Sequence, residues 1–518
     1  MKIRLGLFLM CFLWLSIACA RNGVPSLAPV SHETVGGSGV ERNNAEARPL
    51  RAAIDEDLPT LDPHHHLTII GTVVLRNIFE PLVDVDREGE IVPWLAERWQ
   101  TTDNKTWHFF LRSGVKFHDG KALTVADVLF SFDRARSDPR SEVGGFLAGV
   151  KSIAGDADSN RIDIVTNQPE PFFLENLVYV SVVAEKAPEE IEQPVGTGPY
   201  RFVSYQRQRS VRLEAFEDYW QGASDESVAE LVVLPDAKEA VDQLERGEID
   251  LVSNLPPTLV DRVESSSELW VESRLSQSIY YLQLNPQIPP FADPRVRQAI
   301  DLALDRDELM REVTLHHARP ASQMLGPGIF GHDPDLTPTQ QDRPAARRML
   351  AEVNSGKAIE VLLETTEAYL PHAERIAQQL VEVGLRFEVM SRPWPELYSS
   401  LEAGEVGAWY GVWSYDGSDG GLFFDQVVHS STEDGALGSA NWSRSADLDL
   451  DRQIRQVRAE QDLSIREAKL QEISREVTDQ RILIPVLWPL DLYGMRRDLD
   501  WEARSDGRRD FFEMKRKN

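Results

Sequence analysis

Leu231-Val232-Val233-Leu234, then Ala237 to Arg246, Gly247 and Ile249-Asp250-Leu251-Val252 form the stretch that decides the fold class. The first four residues read as a strand, the next run as a helix ended by a glycine, and the last four as a second strand. A strand–helix–strand unit of this kind belongs to a mixed α/β architecture. The pattern repeats outward in both directions. Arg51-Ala52-Ala53-Ile54 is a strand closed by Asp57-Leu58-Pro59, and Leu67 to Leu82 carries apolar residues at helical spacing. Trp107-His108-Phe109-Phe110-Leu111-Arg112 and Ile162-Asp163-Ile164-Val165 read as strands. Between them Asp119-Gly120 is a turn, and Thr124 with Asp127 three residues on caps a helix through Val125, Val128, Leu129 and Phe132. Arg295 to Leu315, Pro344 to Val353, His372 to Val383 and Leu448 to Thr478 are the longer amphipathic helices.

The chain has 518 residues, enough for several packing units, with 42% hydrophobic and 27% charged residues. This composition excludes a collagenous, wholly disordered or multi-span membrane chain. Asp and Glu number 84 against 55 Lys and Arg, a formal charge of −29. Nucleic-acid affinity comes from cations neutralising phosphates, so a nucleic-acid partner is excluded.

The N-terminus reads as an export signal: Met1-Lys2-Ile3-Arg4 is basic and Leu5 to Ala18 is apolar but short for a span. Two cleavage readings stand. Ser16-Ile17-Ala18-Cys19 resembles a bacterial lipobox, with Cys19 lipidated as the new terminus, although Ser16 occupies the position where Leu is usual. Ala18-Cys19-Ala20 also fits a small-x-small signal peptidase site. Residues 1–19 are then the signal, and 20–48, with Gly36-Gly37-Ser38-Gly39, a flexible tether. The only cysteines, Cys11 and Cys19, lie in the export segment, so the body has no disulfide, thiolate metal site or Cys nucleophile.

Several separated segments resemble the bacterial family 5 extracellular solute-binding proteins, the dipeptide-, oligopeptide- and nickel-binding components of ABC importers. They are Leu61-Asp62-Pro63-His64; Asn77-Ile78-Phe79-Glu80-Pro81-Leu82-Val83; Ile91-Val92-Pro93-Trp94-Leu95-Ala96-Glu97-Arg98-Trp99; Leu111 to Gly120 with Leu123 to Ser131; Gly196-Thr197-Gly198-Pro199-Tyr200; Asp218-Tyr219-Trp220; and Pro290 to Ile300. The resemblance implies a two-lobed periplasmic-binding-protein fold of the class II type, with a hinge and an extra inserted small domain. It places the first lobe at 49–67, 193–272 and 489–518, the extra domain at 68–192 and the second lobe at 273–488. It further implies a binding protein without catalytic residues or cofactor, expected to be a monomer. Such a protein closes on a peptide-like solute and presents it to a permease in the inner membrane, from the periplasm or the outer face of the cytoplasmic membrane.

Some of these motifs read as scaffold. His118 beside Asp119 ends a strand in a turn, and Gly196-Thr197-Gly198-Pro199 lacks the Lys-Ser/Thr of a phosphate loop. Trp409 to Gly421 is sharper, packing aromatics, carboxylates and glycines together. In peptide-binding relatives a Trp-x-x-Asp stands here and its Asp pairs with the ligand's ammonium. Trp413-Ser414-Tyr415-Asp416 matches, which makes Asp416 the leading ligand-binding candidate, flanked by Trp413, Tyr415 and Asp419; the plainer reading is that Asp416 caps a turn. Dipeptide-binding relatives often carry an Arg two residues before the Tyr of a segment like Tyr369-Leu370-Pro371. Here that position is Glu367, which repels a ligand carboxylate and favours a longer peptide or a solute with two cationic ends. Asn285, Tyr369, Trp394 and Trp442 complete the ligand-binding candidates, with core packing the alternative for the tryptophans.

His64-His65-His66 raises a weaker metal reading, and with it a nickel-carrying alternative. A ligand-binding sensor that engages a chemoreceptor or regulatory partner is a second alternative. A hydrolase is disfavoured, since no Gly-x-Ser-x-Gly, His-Glu-x-x-His or catalytic Cys is present.

Overall fold

Two stretches of chain run side by side through the middle of the molecule and organise everything else. Leu269–Leu275 and Ser278–Leu284 are successive strands separated by Ser276-Gln277, and both pair antiparallel with the long strand Leu483–Arg496. The computed structural model describes residues 48–354, 359–415, 417–432, 435, 437–504 and 506–517. In it these strands are the centre of a twelve-stranded mixed sheet.

On one side of the crossing, Leu50–Ile54 lies parallel to Val228–Val233 and Leu251–Val252, with Ser210–Ala215 and Tyr200–Gln206 added antiparallel. On the other, Ala408–Ser414 pairs antiparallel with Ser278–Leu284, and Ile359–Thr365 runs parallel to Ala408–Ser414 and to Leu385–Ser391. Each half buries apolar side chains on both faces, as a parallel-rich sheet requires. One half packs Leu50, Ala52, Leu213, Leu231, Tyr493 and Phe511 on one face and Val241, Leu244, Val252 and Leu492 on the other. The second half has Leu282, Ile300, Leu363 and Ile376 on one face and Ile279, Trp409, Trp413 and Leu470 on the other. This is the two-lobed α/β architecture that the sequence implies.

A further core lies within Leu82 to Val182, around an antiparallel sheet ordered Ala96–Gln100, Thr106–Leu111, Arg161–Thr166, Val150–Asp156. Thr106–Leu111 and Arg161–Thr166 alternate half-buried and buried residues, the period-2 pattern of a sheet covered on one face. Helix Val125–Ser137 packs on it, and its first turn is fixed by Asp127, which accepts the Thr124 amide at 2.8 Å and hydroxyl at 2.6 Å. The hairpin Val83–Val85/Ile91–Pro93 projects from this region. Arg508 on Asp84 at 2.8 Å, and Arg504 on the carbonyls of Val85 (2.9 Å) and Asp86 (3.0 Å), tie the C-terminal segment to it.

Several helices are shorter than their periodicity predicts. Leu448 to Thr478 is two helices, Leu448–Ala459 and Leu463–Gln480, because Asp462 caps the second by accepting the amides of Ser464 and Ile465. Arg295 to Leu315 likewise splits into Pro294–Ala303 and Arg306–Glu312, with Asp305 as the cap between them. Leu67 to Leu82 is helical only over Ile69–Leu75; just beyond its end, Asn77 accepts the Phe511 amide instead of exposing a helix face. Ile249 to Val252 contributes a strand of only Leu251–Val252, since Asp250 turns to accept the Arg51 amide and Arg516.

Candidate functional site

Where the crossing strands pass between the two halves, strand alternation sorts the side chains. Ser278 and Tyr280 project to the same face as Tyr410 and Ser414 on the neighbouring strand, and the hydroxyls of Ser278 and Ser414 meet at 2.9 Å. Trp409 and Trp413 project to the opposite face. A cavity of about 140 Å³ opens at this crossing, lined by Glu88, Arg274, Ser276, Ser278, Tyr415 and Ser418 together with the 326–329 loop. It is bounded by the hairpin tip, the crossing strands and the turn that follows Ala408–Ser414.

Aromatic groups border this face. The ring of Tyr280 lies 5.6 Å from Tyr369 and 5.1 Å from His372, and His372 Nδ1 is 3.0 Å from the Tyr410 hydroxyl. Burial pushes the His372 imidazole down to about 4, so it is neutral at physiological pH. Asp491, on the long strand opposite Arg274, is half-buried; burial raises its carboxyl, against the opposing effects of the Ser276 hydroxyl and Arg509.

The inserted region reaches the same place through Phe172 and the short helix Phe173–Leu177. The ring of Phe172 is 5.8 Å from Phe330, and the Arg466 guanidinium sits 4.5 Å over it. Arg466 also pairs with Asp419 at 2.5 Å. One turn further along, Glu175 accepts the Ser418 hydroxyl at 3.3 Å. Its carboxyl is pushed up to about 7, first by burial and then by the neighbouring charge of Asp419.

The expected site residues fall into three groups. Tyr415 stands at the cavity, its hydroxyl donating to the Met324 carbonyl, and Tyr369 stands at the aromatic border. Asp419 lies at the edge as the cap of Gly420–Phe423, accepting the Gly421 amide at 3.0 Å. Trp394, Trp413 and Trp442 pack with Trp409 in one aromatic cluster behind the sheet, with Trp442 5.5 Å from Trp409 and 5.9 Å from Trp394. Asn285 is buried in a turn, accepting the Gln287 amide and donating to the Gly404 carbonyl. Glu367 is exposed, with the Ser391 hydroxyl at 3.3 Å. Asp416 and Cys19 lie outside the described residues.

The histidine run is held by its own partners. His64 Nε2 meets the Ser181 carbonyl at 2.8 Å, His65 Nε2 meets Asp138 at 2.9 Å, and the His66 ring fills the space over Gly71 where a Cβ would collide. Among the described residues no three His, Cys, Asp or Glu side chains converge as a metal site. His118 is part of the scaffold, its ring nitrogens meeting the Gly198 carbonyl and Gly196 amide. Glu175, Asp491 and Arg466 do not stand out in the sequence. What sets them apart is the company they keep after folding, which local periodicity does not encode.

Known proteins resemble this chain along nearly its whole described length. The dipeptide-binding protein of Escherichia coli (strain K12) is 25% identical over 394 residues, covering 68% of this chain and 73% of that protein. The structure of HbpA2 from Haemophilus parasuis superposes with a TM-score of 0.81 at 22% identity, covering 91% of this chain and all of that one (100%). The periplasmic binding protein DppA from Helicobacter pylori, solved with the peptide STSA, gives a TM-score of 0.73 at 22% identity over 90% of this chain and 98% of its own. The sequence model for bacterial extracellular solute-binding proteins, family 5 (middle region), matches residues 90–435, and with it the chain belongs to that family of solute-binding proteins.

Proposed function

We propose that this protein captures a peptide-like solute between its two lobes outside the cytoplasm and delivers it to an ABC permease. The observation that carries the reading is the cavity at the crossing strands, where the start of the second lobe, its 326–329 loop and the inserted hairpin supply walls. Family membership supports it, and so does its similarity to the dipeptide-binding protein of Escherichia coli. In this reading residues 49–67, 193–272 and 489–518 move as one lobe carrying 68–192, and 273–488 as the other. Closure requires no covalent step: the solute stabilises the closed state by its differential affinity for it. Asp416, one residue beyond Tyr415, anchors the solute ammonium, and Cys19 carries the lipid that keeps the protein at the membrane.

Native mass spectrometry of the protein purified without refolding tests this. A non-covalent mass excess that vanishes on denaturation and fragments as a peptide is expected, and Asp416→Asn should lose it. A bare mass that trialanine, trilysine and a mixed peptide pool all fail to shift would overturn the reading. Labelled palmitate should enter the parent and not Cys19→Ser.

A further inference from the structure

Two carboxylates flank the cavity, and neither has a cation within ion-pair distance among the described residues. Asp491 stands opposite Arg274, a lining residue, in the strand ladder, and Glu175 accepts the hydroxyl of Ser418, another lining residue, at 3.3 Å. Several buried carboxylates elsewhere in this protein have an arginine instead. Asp62 has Arg134 at 2.5 Å, Asp84 has Arg508 at 2.8 Å and Asp301 has Arg306 at 2.6 Å. Withdrawing a carboxylate from water is costly unless a proton or a cation compensates it.

The cations that lie nearby are already engaged. Arg466 belongs to Asp419 and to the face of Phe172. Arg509 lies over the ring of Tyr493. Arg274 lines the cavity, yet its guanidinium donates to the carbonyls of Arg87 at 3.2 Å and Ala503 at 3.4 Å. The remaining charged groups that act on Glu175 are Asp419 and Glu90, both acidic. Glu88 adds a carboxylate to the wall itself.

We propose that the cavity selects a cationic solute, with Glu175 and Asp491 as specificity residues that receive its positive charge from the inserted region and from the crossing strand. This rests on the reading of the protein as a peptide receptor and adds the class of peptide: one rich in lysine or arginine. Without solute the two carboxyls hold protons more tightly than usual, Glu175 to about pH 7. A bound ammonium replaces the proton on Glu175, so capture of a cation at neutral pH releases it.

Calorimetric titration of the full protein with trilysine, trialanine and spermidine, in two buffers of different ionisation enthalpy at pH 7, decides the matter. Trilysine should bind at least about tenfold tighter than trialanine, with net proton release, and Glu175→Gln or Asp491→Asn should each remove about tenfold of that preference. Thermal melts show whether each variant folds. Should one fail to fold, the parent's proton balance alone decides, and proton uptake or none on binding trilysine overturns the proposal. Equal affinity for trilysine and trialanine also overturns it and leaves peptide capture standing. Spermidine bound in preference to both peptides upholds the cationic cavity and sinks the peptide reading. Binding of none of the three overturns both.

Discussion

Asp62 shows how much one carboxylate can hold. It takes both terminal nitrogens of Arg134, at 3.0 and 2.5 Å, and the amides of His64 and Ile191. Burial alone would raise its carboxyl; Arg134 and the His64 amide outweigh that and keep it below its ordinary value. A depressed carboxyl contributes stability above its unfolded value near pH 3.9 and loses it as pH falls through the folded value. Removing one partner leaves the other charge buried alone, so Arg134→Ala should cost about 3–5 kcal/mol in urea unfolding at pH 7. The gap to the parent should narrow on acidification below about pH 4. Glu80 has the opposite sign. Burial pushes it up to about 7, against donation from Trp220, Tyr219 and Trp94. Its contribution is complete below about pH 4.5 and declines as pH rises toward 7. Glu80→Gln, which cannot titrate, should flatten that part of the stability–pH curve. An unchanged slope between pH 4.5 and 7 would show that Glu80 is ionised throughout.

At the scale of elements, what the sequence makes legible is what local chemistry controls. In the unit from Leu231 to Val252 the order strand, helix, strand is read correctly, though not every boundary, because β-formers, a helical run and Gly247 at a φ of 68° are all local signals. The Thr124–Asp127 cap is read for the same reason. The helix break at Asp462 is missed because apolar spacing continues through it, and only the carboxylate's choice of the Ser464 and Ile465 amides reveals a second start. Asp462→Ala should therefore lower stability by about 1 kcal/mol, measured as a shift in denaturant midpoint at constant slope. The site is partly legible for a parallel reason. Tyr415 and Tyr369 are picked out by a resemblance and stand at the cavity or its border, whereas the alternation of Ala408–Ser414 turns Trp413 into the aromatic cluster behind the sheet. Glu175 and Asp491 become informative only once tertiary structure shows which carboxylates have been left without an arginine.

Over the whole molecule, the two lobes are joined by strands running in both directions, so the proposed closure would be a small rotation shared by the Ser276-Gln277 step and the long strand beside it. In that proposal the inserted region's contacts with the second half of the sheet would help hold the closed state. Phe172 meets Phe330 and lies under Arg466, while Glu175 meets Ser418. Phe172 is also clear of the inserted region's own core, where Phe173 is buried. Truncating Phe172 should thus leave each lobe intact and weaken only the closed state. An aromatic pair and a cation–π contact are each worth about 0.5–1.5 kcal/mol, so losing both in Phe172→Ala should weaken solute affinity by roughly five- to 160-fold. The loss should appear as faster release, because the open form that first meets the solute is unaltered. Thermal stability without solute should stay near that of the parent, and small-angle scattering should show less contraction at subsaturating solute. A fall in the melting temperature without solute, with affinity unchanged, would instead make Phe172 an ordinary packing residue and remove the inserted region from closure.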